Sequence, residues 1–177
     1  MNTYISMLRG INVSGQKKIS MIDLKKLFES LGFKNVRTYI QSGNVIFEDS
    51  SRDILKIRNK IEKKIKETFG FEVVIIIRTT KELLKIIENN PFSKKVEGVY
   101  VSFLSNKSGE FDIKEINKFK DKSEEFVIFS KEVYFYCPNG YGRTKLNNNF
   151  FEKKLKVSAT TRNWKTVNAL CVMSKNK

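Results

Sequence analysis

The sequence predicts an α+β protein made of two similar halves, and three observations lead to this fold class. Short β-branched or aromatic segments alternate with longer segments whose apolar residues recur every three or four positions. The resulting order of strands and helices occurs once in residues 1–78 and is partly repeated in residues 79–177. Gly32 and Gly70 follow the two helical segments of the first half, as expected at helix C-termini. No low-complexity linker separates the halves, so we expect them to pack together as one compact unit.

The first half has the predicted order strand, helix, strand, strand, helix, strand. These segments cover residues 3–8, 21–31, 36–39, 45–47, 54–69 and 71–77. Ser20 and Asp53 precede the two helices and are predicted to cap them, since their side-chain oxygens can accept from first-turn N–H groups. Gly43 is expected to supply the unusual backbone angle of the hairpin between the second and third strands. This order is that of the split βαβ, or ferredoxin-like, unit.

The second half repeats this order as far as its second helix. Predicted strands cover residues 99–104, 126–129 and 133–136, and predicted helices begin near residues 80, 112, 148 and 164. Asp112 is expected to cap the second of these helices, and Thr160 and Thr161 the last one. The expected fold is therefore a pair of ferredoxin-like halves packed together, with an added C-terminal helix and with two sheets side by side or merged.

Composition excludes several classes of chemistry. The 177 residues contain no histidine, which removes the commonest general base, the commonest metal ligand and every Ser-His or Cys-His nucleophile pair. Cys137 and Cys171 have no metal-binding spacing and are expected to be reduced structural thiols. No metal site and no cofactor are therefore expected. Neither a membrane span nor a signal peptide is recognised, so a cytoplasmic protein without membrane partners is predicted.

The net charge of +15 favours a polyanionic partner, but only weakly. Lysine accounts for 27 of the 34 basic residues, and several lysines of the second predicted helix fall on its solvated face. An AT-rich coding sequence would also enrich lysine, isoleucine and asparagine. The charge alone therefore identifies no ligand.

Four loops contain polar residues that strand or helix periodicity does not explain. The candidate ligand-binding residues in them are Arg9, Asn12, Gln41, Ser42, Asn44, Tyr141, Arg143, Lys145, Arg162 and Asn163. Guanidinium groups can bind phosphate in bidentate fashion, and amides and hydroxyls supply further hydrogen bonds. The Gly140–Lys145 loop resembles a basic phosphate cradle in which Tyr141 offers a stacking surface, although the P-loop pattern is absent.

Each candidate also has a structural interpretation. Arg9 can fix its own loop, and Asn12 and Asn44 can close turns, which is the favoured interpretation for Asn44 beside Gly43. The N-terminus of the last helix, beside Arg162 and Asn163, can bind an anion or be capped by hydroxyls. Cys137 is interpreted as a small residue that ends a strand. Helix capping accounts for most of the notable acidic residues, and no catalytic pair is identified; these acids are Asp23, Asp53, Glu82, Asp112 and Glu115.

Four motifs carry a family resemblance. They are LRGINV at residues 8–13, TYIQSGNV at 38–45, GRTK at 142–145 and TRNWKTV at 161–167. Together they closely resemble a bacterial family called domain of unknown function 1697, from the first strand to the last helix. The resemblance implies a duplicated ferredoxin-like α+β fold. It implies no activity, substrate or cofactor, so no functional residue is transferred from the family.

Three functions are compatible with these observations. The leading hypothesis is binding of a phosphate-bearing ligand, a nucleotide or a nucleic acid, by the arginine- and asparagine-rich loops. The second is an enzyme that acts on a small anionic substrate without histidine or metal, with tyrosine or lysine as acid or base. The third is a structural or interaction module whose loop residues only form turns. The sequence is compatible with a monomer.

Overall fold

The computed structural model describes residues 1–95, 97–107, 109 and 113–176. Its strands are β1 (Asn2–Leu8), β2 (Lys34–Tyr39), β3 (Asn44–Asp49), β4 (Ile75–Thr79), β5 (Val99–Leu104), β6 (Glu125–Phe129), β7 (Glu132–Tyr136) and β8 (Ala159–Asn163). Its α-helices are α1 (Met21–Ser30), α2 (Ile54–Phe69), α3 (Thr80–Glu88), α4 (Ile113–Asn117), α5 (Asn148–Leu155) and α6 (Trp164–Lys175). The predicted cap Asp112 lies outside the described residues. The described chain is thus a mixed α+β protein with a C-terminal helix.

The strands form two four-stranded sheets that share no strand. Their orders are β2-β3-β1-β4 and β6-β7-β5-β8. Every pair of neighbouring strands is antiparallel. The two orders are the same when β5 to β8 are counted as the first to fourth strands of their sheet.

The chain divides into two compact units, each containing one sheet. Unit 1 comprises Met1–Leu84 and the residues from Ala169 onward, and unit 2 comprises Lys85–Asn168. Helices α3 and α6 each contribute residues to both units.

The two sheets place similar residues at the same register positions. Ser6 of β1 lies opposite Val45, and Ser102 of β5 lies opposite Val133. Two pairs further along, on the same sheet face, Tyr4 lies opposite Phe47 and Tyr100 lies opposite Phe135, with ring centroids 5.7 and 5.6 Å apart. The edge strands also agree, since Arg78 of β4 lies opposite Ile5 and Arg162 of β8 lies opposite Val101. The two sheets therefore agree at individual register positions as well as in strand order.

One face of each sheet packs against helices in its own unit. In unit 1 the core joins this sheet face to α1 and α2, and Phe28, Phe33 and Phe47 form an aromatic cluster with centroids 4.5–5.8 Å apart. In unit 2 the core includes Phe135 and Phe151, whose rings are 5.7 Å apart. Burial of such rings away from water is the main favourable term in folding.

The opposite face of each sheet is buried as well. Buried residues on this face are Ile5, Met7, Ile46 and Ile76 in unit 1 and Val101, Phe103 and Tyr134 in unit 2. In unit 2 the Tyr134 hydroxyl donates to the Ile86 carbonyl of α3 at 2.9 Å. At these positions neither sheet offers an open face on which a ligand can lie.

The predicted caps of the first half are confirmed. Ser20 Oγ accepts from the Asp23 N–H at 3.0 Å, and Asp53 Oδ1 accepts from the Lys56 N–H at 3.0 Å. The predicted capping role of Glu115 depends on contacts at residue 112, outside the described residues; within them the Glu115 carboxylate pairs with Lys118 at 3.2 Å and with Lys154 at 2.9 Å.

Two strands differ most from the prediction, whereas the bounds of the others agree within two residues. Strand β4 begins at Ile75 and not at residue 71, because its partner β1 ends at Leu8, which lies opposite Ile75. Strand β8 was missed, and the prediction that Thr160 and Thr161 cap the last helix is wrong because both belong to β8. The helix is capped instead by Asn163, whose Oδ1 accepts from the Thr166 N–H at 2.8 Å.

Within the described residues, every helix is too short or too polar to cross a bilayer.

Candidate functional site

The two polar loops of unit 1 are joined by one side chain. Asn12, which has a φ of 56°, lies between them. Its amide Nδ2 donates to the carbonyl oxygens of Ile19 and Gln41, both at 2.9 Å, and its Oδ1 accepts from the Ile19 N–H at 2.9 Å. The side chain therefore ties the loop after β1 to the turn between β2 and β3.

Gly43 lets the second loop pack closely against the first. Its φ is 75°, and a Cβ at this position would lie 2.6 Å from Ile11 Cδ1 and 2.9 Å from Leu8 Cβ. The Gly43 carbonyl oxygen accepts from the Leu8 N–H at 2.9 Å. Only glycine satisfies both the backbone angle and the available space.

Asn44 also has a structural role, because its side chain is fully buried. Its Nδ2 donates to the Tyr39 carbonyl oxygen and to Ser42 Oγ, both at 3.0 Å. The amide thus closes the turn between β2 and β3, and it also positions the half-buried Ser42. Gln41 is exposed, and its carbonyl oxygen is held by Asn12.

Arg9 lines a surface groove in unit 1. The groove has a volume of about 560 Å³, and its lining residues are Arg9, Lys17, Asn59, Glu62, Lys63, Lys66, Glu72, Val73 and Val74. The Arg9 N–H donates to the Val74 carbonyl oxygen at 2.9 Å, which fixes the start of the side chain beside the groove. The lining of the groove therefore combines two valines and one asparagine with six charged side chains.

The charges around the groove are partly paired. Lys66 Nζ lies 2.7 Å from Glu72 Oε1, and Lys17 Nζ donates to the Glu72 carbonyl oxygen at 2.7 Å. The hydrogen bond from Lys66 lowers the pKa of Glu72, and the same bond raises the pKa of Lys66. Glu62 Oε1 accepts from the Ile75 N–H at 2.9 Å and so helps to hold the start of β4.

The polar loops of unit 2 differ from each other in exposure. Arg143 and Lys145 are exposed. Tyr141 is half-buried, with its ring 5.4 Å from that of Tyr100 and its hydroxyl accepting from the Asn148 N–H at 3.3 Å. The ring of Tyr141 thus packs at the edge of the unit 2 core.

Arg162 is buried, and Asn163 is exposed but serves as a helix cap. Arg162 Nη1 donates to Thr160 Oγ1 and to the Thr161 carbonyl oxygen, both at 2.8 Å. Burial lowers the pKa of Arg162 to about 10, so the guanidinium remains charged at neutral pH. These contacts hold the Arg162 side chain against its own strand.

The two thiols are buried and unpaired with each other. Burial raises the pKa of Cys137 to about 12, against an opposing hydrogen bond with Thr144. Burial likewise raises the pKa of Cys171. Because the thiolate is the reactive form, neither residue is an activated nucleophile at neutral pH. Over the described ranges, His, Cys, Asp and Glu side chains do not gather in threes close enough to hold a metal ion.

Within unit 1, Asn12 ties the loop that follows Arg9 to the turn that holds Gln41, Ser42 and Asn44. Of the predicted binding residues, only Arg9 belongs to the lining of the groove. Sequence reasoning missed the groove residues Lys17, Asn59, Lys63 and Lys66. The last three follow one another at spacings of four and three along α2, so they form one polar stripe. This stripe could have been recognised, but it does not distinguish a ligand groove from an ordinary solvated helix face.

These features define a mixed α+β protein with two four-stranded antiparallel sheets and a cationic groove in its first unit. A family model described as "Protein of unknown function (DUF1697)" matches residues 1–134, and the chain belongs to this family. The family that the sequence motifs resembled is thus confirmed, although the motifs at residues 142–145 and 161–167 lie beyond the matched residues.

The comparisons with known proteins establish the fold and leave the function open. The solved structure of a conserved bacterial protein from Streptococcus pneumoniae is similar to this chain, with a TM-score of 0.76. The two sequences are 22% identical, and the similarity covers 99% of each chain. No curated protein matches the chain.

Proposed function

We propose that this protein binds a phosphate-bearing ligand, a nucleotide or a nucleic acid, in the groove beside Arg9. The observation that carries the proposal is the concentration of four cationic side chains, Arg9, Lys17, Lys63 and Lys66, around one groove of about 560 Å³. A cleft whose lining carries an excess of one sign of charge raises the local concentration of oppositely charged ligands.

The charge balance of the groove favours an anion. Glu62 and Glu72 are its two acids, which leaves an excess of two positive charges. Glu72 already accepts a hydrogen bond from Lys66, and Glu62 accepts one from a backbone N–H. Lys63 is highly exposed, and its distance of 3.9 Å to Glu67 is that of a weak surface ion pair, so the ammonium can turn toward a ligand.

Other predicted binding residues extend this proposal. Gln41 and Ser42 belong to the loop that Asn12 ties to the Arg9 loop, so they are proposed to contact the same ligand. Arg143 and Lys145 of unit 2 are proposed to bind phosphate groups separately from the groove. Both are exposed, and they have no acid within the GYGRTK segment.

The test is the salt dependence of binding to a labelled single-stranded oligonucleotide. Affinity should fall linearly with log salt, because each neutralised phosphate releases counterions. The double variant Arg9→Ala/Lys17→Ala should make this slope shallower by about 1.4 if each side chain neutralises one phosphate. Arg143→Ala/Lys145→Ala measures the contribution of unit 2 in the same way.

A charge-matched control keeps the test specific. Lys81→Ala/Lys153→Ala removes two exposed lysines outside the groove and should leave the slope unchanged. Binding that is independent of salt, or an equal change of slope in the control, would contradict the proposal. ATP measured alongside oligonucleotides of increasing length separates the two ligand classes, since only a nucleic-acid site gains affinity with length.

A binding surface of the RNA-recognition type, with bases on an open sheet face, is not favoured. The central residues on both faces of each sheet are buried, so a nucleic acid would have to use the loops and helices.

An enzymatic function has no specific support either. Among the described residues, each thiol or tyrosine with a shifted pKa has it raised, as at Cys137 and Tyr134. Each carboxyl group with a shifted pKa has it lowered, as at Glu72 and Glu115. Both shifts lead away from the near-neutral pKa that suits general acid–base catalysis.

We also propose that each unit is a ferredoxin-like module and that the chain is a duplication of it, with the repeat boundary between residues 78 and 79. The shared strand order and the matched register positions of Ser6 with Ser102 and Arg78 with Arg162 support this proposal. Superposition of β1–β4 on β5–β8 is its test, because a different best-fitting register would contradict it.

A cytoplasmic location, which the sequence favours, would give the protein access to nucleotides and nucleic acids.

A further inference from the structure

A second pocket lies in unit 2, at the end of the sheet where β5 begins and β7 ends. Its volume is about 550 Å³, close to that of the groove in unit 1. Its lining residues are Lys94, Lys95, Glu97, Gly98, Tyr100, Tyr136, Cys137, Pro138 and Gly140. The pocket thus brings two lysines together with two tyrosines, a combination that the groove in unit 1 lacks.

Tyr136 is the aromatic residue best placed to receive a ligand. Lys95 Nζ lies 4.4 Å from the centroid of the Tyr136 ring and 3.7 Å from Glu125 Oε1. The Lys95 side chain is 42% exposed, so a ligand can displace it at little cost. Gly98 allows the ring to lie close to the start of β5, because a Cβ there would be only 3.2 Å from Tyr136 Cε2.

The chemistry of the pocket suits a planar anion. Among the lining residues, Lys94 and Lys95 outweigh Glu97 by one charge, and the exposed Glu125 that pairs with Lys95 is not part of the lining. Aromatic side chains stack on nucleobases without sequence preference, and lysine ammonium groups bind phosphate as point charges. A ligand that carries both a flat ring and a phosphate therefore matches both parts of the lining.

We propose that this pocket is a second, independent ligand site that binds a nucleoside monophosphate. The base stacks on Tyr136 in the position of the Lys95 ammonium, and the phosphate is bound by Lys94 and the displaced Lys95. This site goes beyond the proposed function of the groove beside Arg9 and does not depend on it.

Isothermal titration calorimetry with AMP, adenosine and ribose 5-phosphate tests the site on the full chain. AMP should bind more tightly than either fragment, because only AMP carries both the ring and the phosphate. Tyr136→Leu should weaken AMP affinity about tenfold through the loss of stacking. Lys94→Gln, an exposed change with little risk to folding, should weaken it about threefold.

Two controls make the outcome decisive. Tyr39→Leu removes a half-buried tyrosine of unit 1, and Lys153→Gln removes an exposed lysine of unit 2 outside the pocket, so both should bind AMP as the wild type does. Arg9→Ala, which alters the groove of the proposed function, is measured beside them to tell the two sites apart. Far-UV circular dichroism confirms that each variant is folded. Absence of AMP binding, equal affinity for ribose 5-phosphate, or unchanged affinity in both Tyr136→Leu and Lys94→Gln would overturn the proposal. AMP affinity lost only in Arg9→Ala would assign AMP to the groove and overturn this pocket.

Discussion

Substitution of Gly43 by alanine should strongly destabilise unit 1. An alanine Cβ would lie 2.6 Å from Ile11 Cδ1 and 2.9 Å from Leu8 Cβ, both in the buried core. Overpacking of this kind costs about 1–3 kcal/mol. The backbone angle of 75° adds about 1–2 kcal/mol, because a Cβ is disfavoured in the left-handed region. The expected loss in the free energy of unfolding is therefore about 2–5 kcal/mol.

Gly10→Ala is the matched control for this change. Gly10 has a φ of 69°, yet an added Cβ would have no heavy atom within 4 Å. This variant has the same backbone cost and the same effect on the unfolded chain, so the difference between the two variants isolates the steric term. Urea denaturation followed by circular dichroism measures both. Hydrogen exchange of the Leu8 amide, which donates to the Gly43 carbonyl, reports the same contact locally.

The result that would refute this reasoning is a loss in Gly43→Ala no larger than that in Gly10→Ala. In that case the side chains of Ile11 and Leu8 would be able to move aside, and the close approach of the two loops would not depend on glycine. A loss of Leu8 amide protection in Gly43→Ala alone would support the steric account.

Two further predictions concern matched or buried groups. Ser6 Oγ is buried without a hydrogen-bond partner, whereas Ser102 Oγ pairs with Thr161 Oγ1. Ser6→Ala should therefore leave the free energy of unfolding unchanged or increase it, and Ser102→Ala should lower it by about 1 kcal/mol. Equal losses in the free energy of unfolding, measured by urea denaturation, would contradict this. Burial raises the pKa of the Cys137 thiol from 9.0 in the unfolded chain to about 12 in the folded protein. Between these two pH values the folded state keeps the thiol proton while the unfolded state loses it, so the free energy of unfolding falls as the pH rises. The advantage of the wild type over Cys137→Ala in free energy of unfolding should therefore shrink by about 1.4 kcal/mol per pH unit in this window, and an advantage that stays constant with pH would refute it.

Most elements of the fold could be predicted because periodicity and capping are local properties. Strand β5 was predicted with its observed bounds, and the caps at Ser20 and Asp53 follow from residues three positions apart. Strand β8 was not predicted, because its sequence ATTRN contains no apolar run and resembles a capping segment. Its assignment as a strand depends on pairing with β5, more than fifty residues away in sequence.

The candidate site was less predictable for the same reason. The favoured interpretation that Asn44 closes a turn is confirmed, whereas the bond from Asn12 to the Gln41 carbonyl, which joins two loops, is seen only in the structure. The groove residues Lys17 and Lys66 meet through Glu72, across separations of 55 and 6 residues. Local sequence cannot show which of many exposed lysines surround one concave surface.

The composition of unit 1 has a consequence for biosynthesis. Its second segment begins at Ala169, after the whole of unit 2, and Thr80 Oγ1 donates to the Ser174 carbonyl oxygen at 3.4 Å across 94 residues of chain. A ribosome takes roughly 4–17 s to add the residues between Leu84 and Ala169 at about 5–20 residues per second. During this interval the contiguous unit 2 can fold, while unit 1 still lacks the helical segment that completes it. The nascent chain therefore presents an incomplete first unit to chaperones and proteases until the end of helix α6 has emerged.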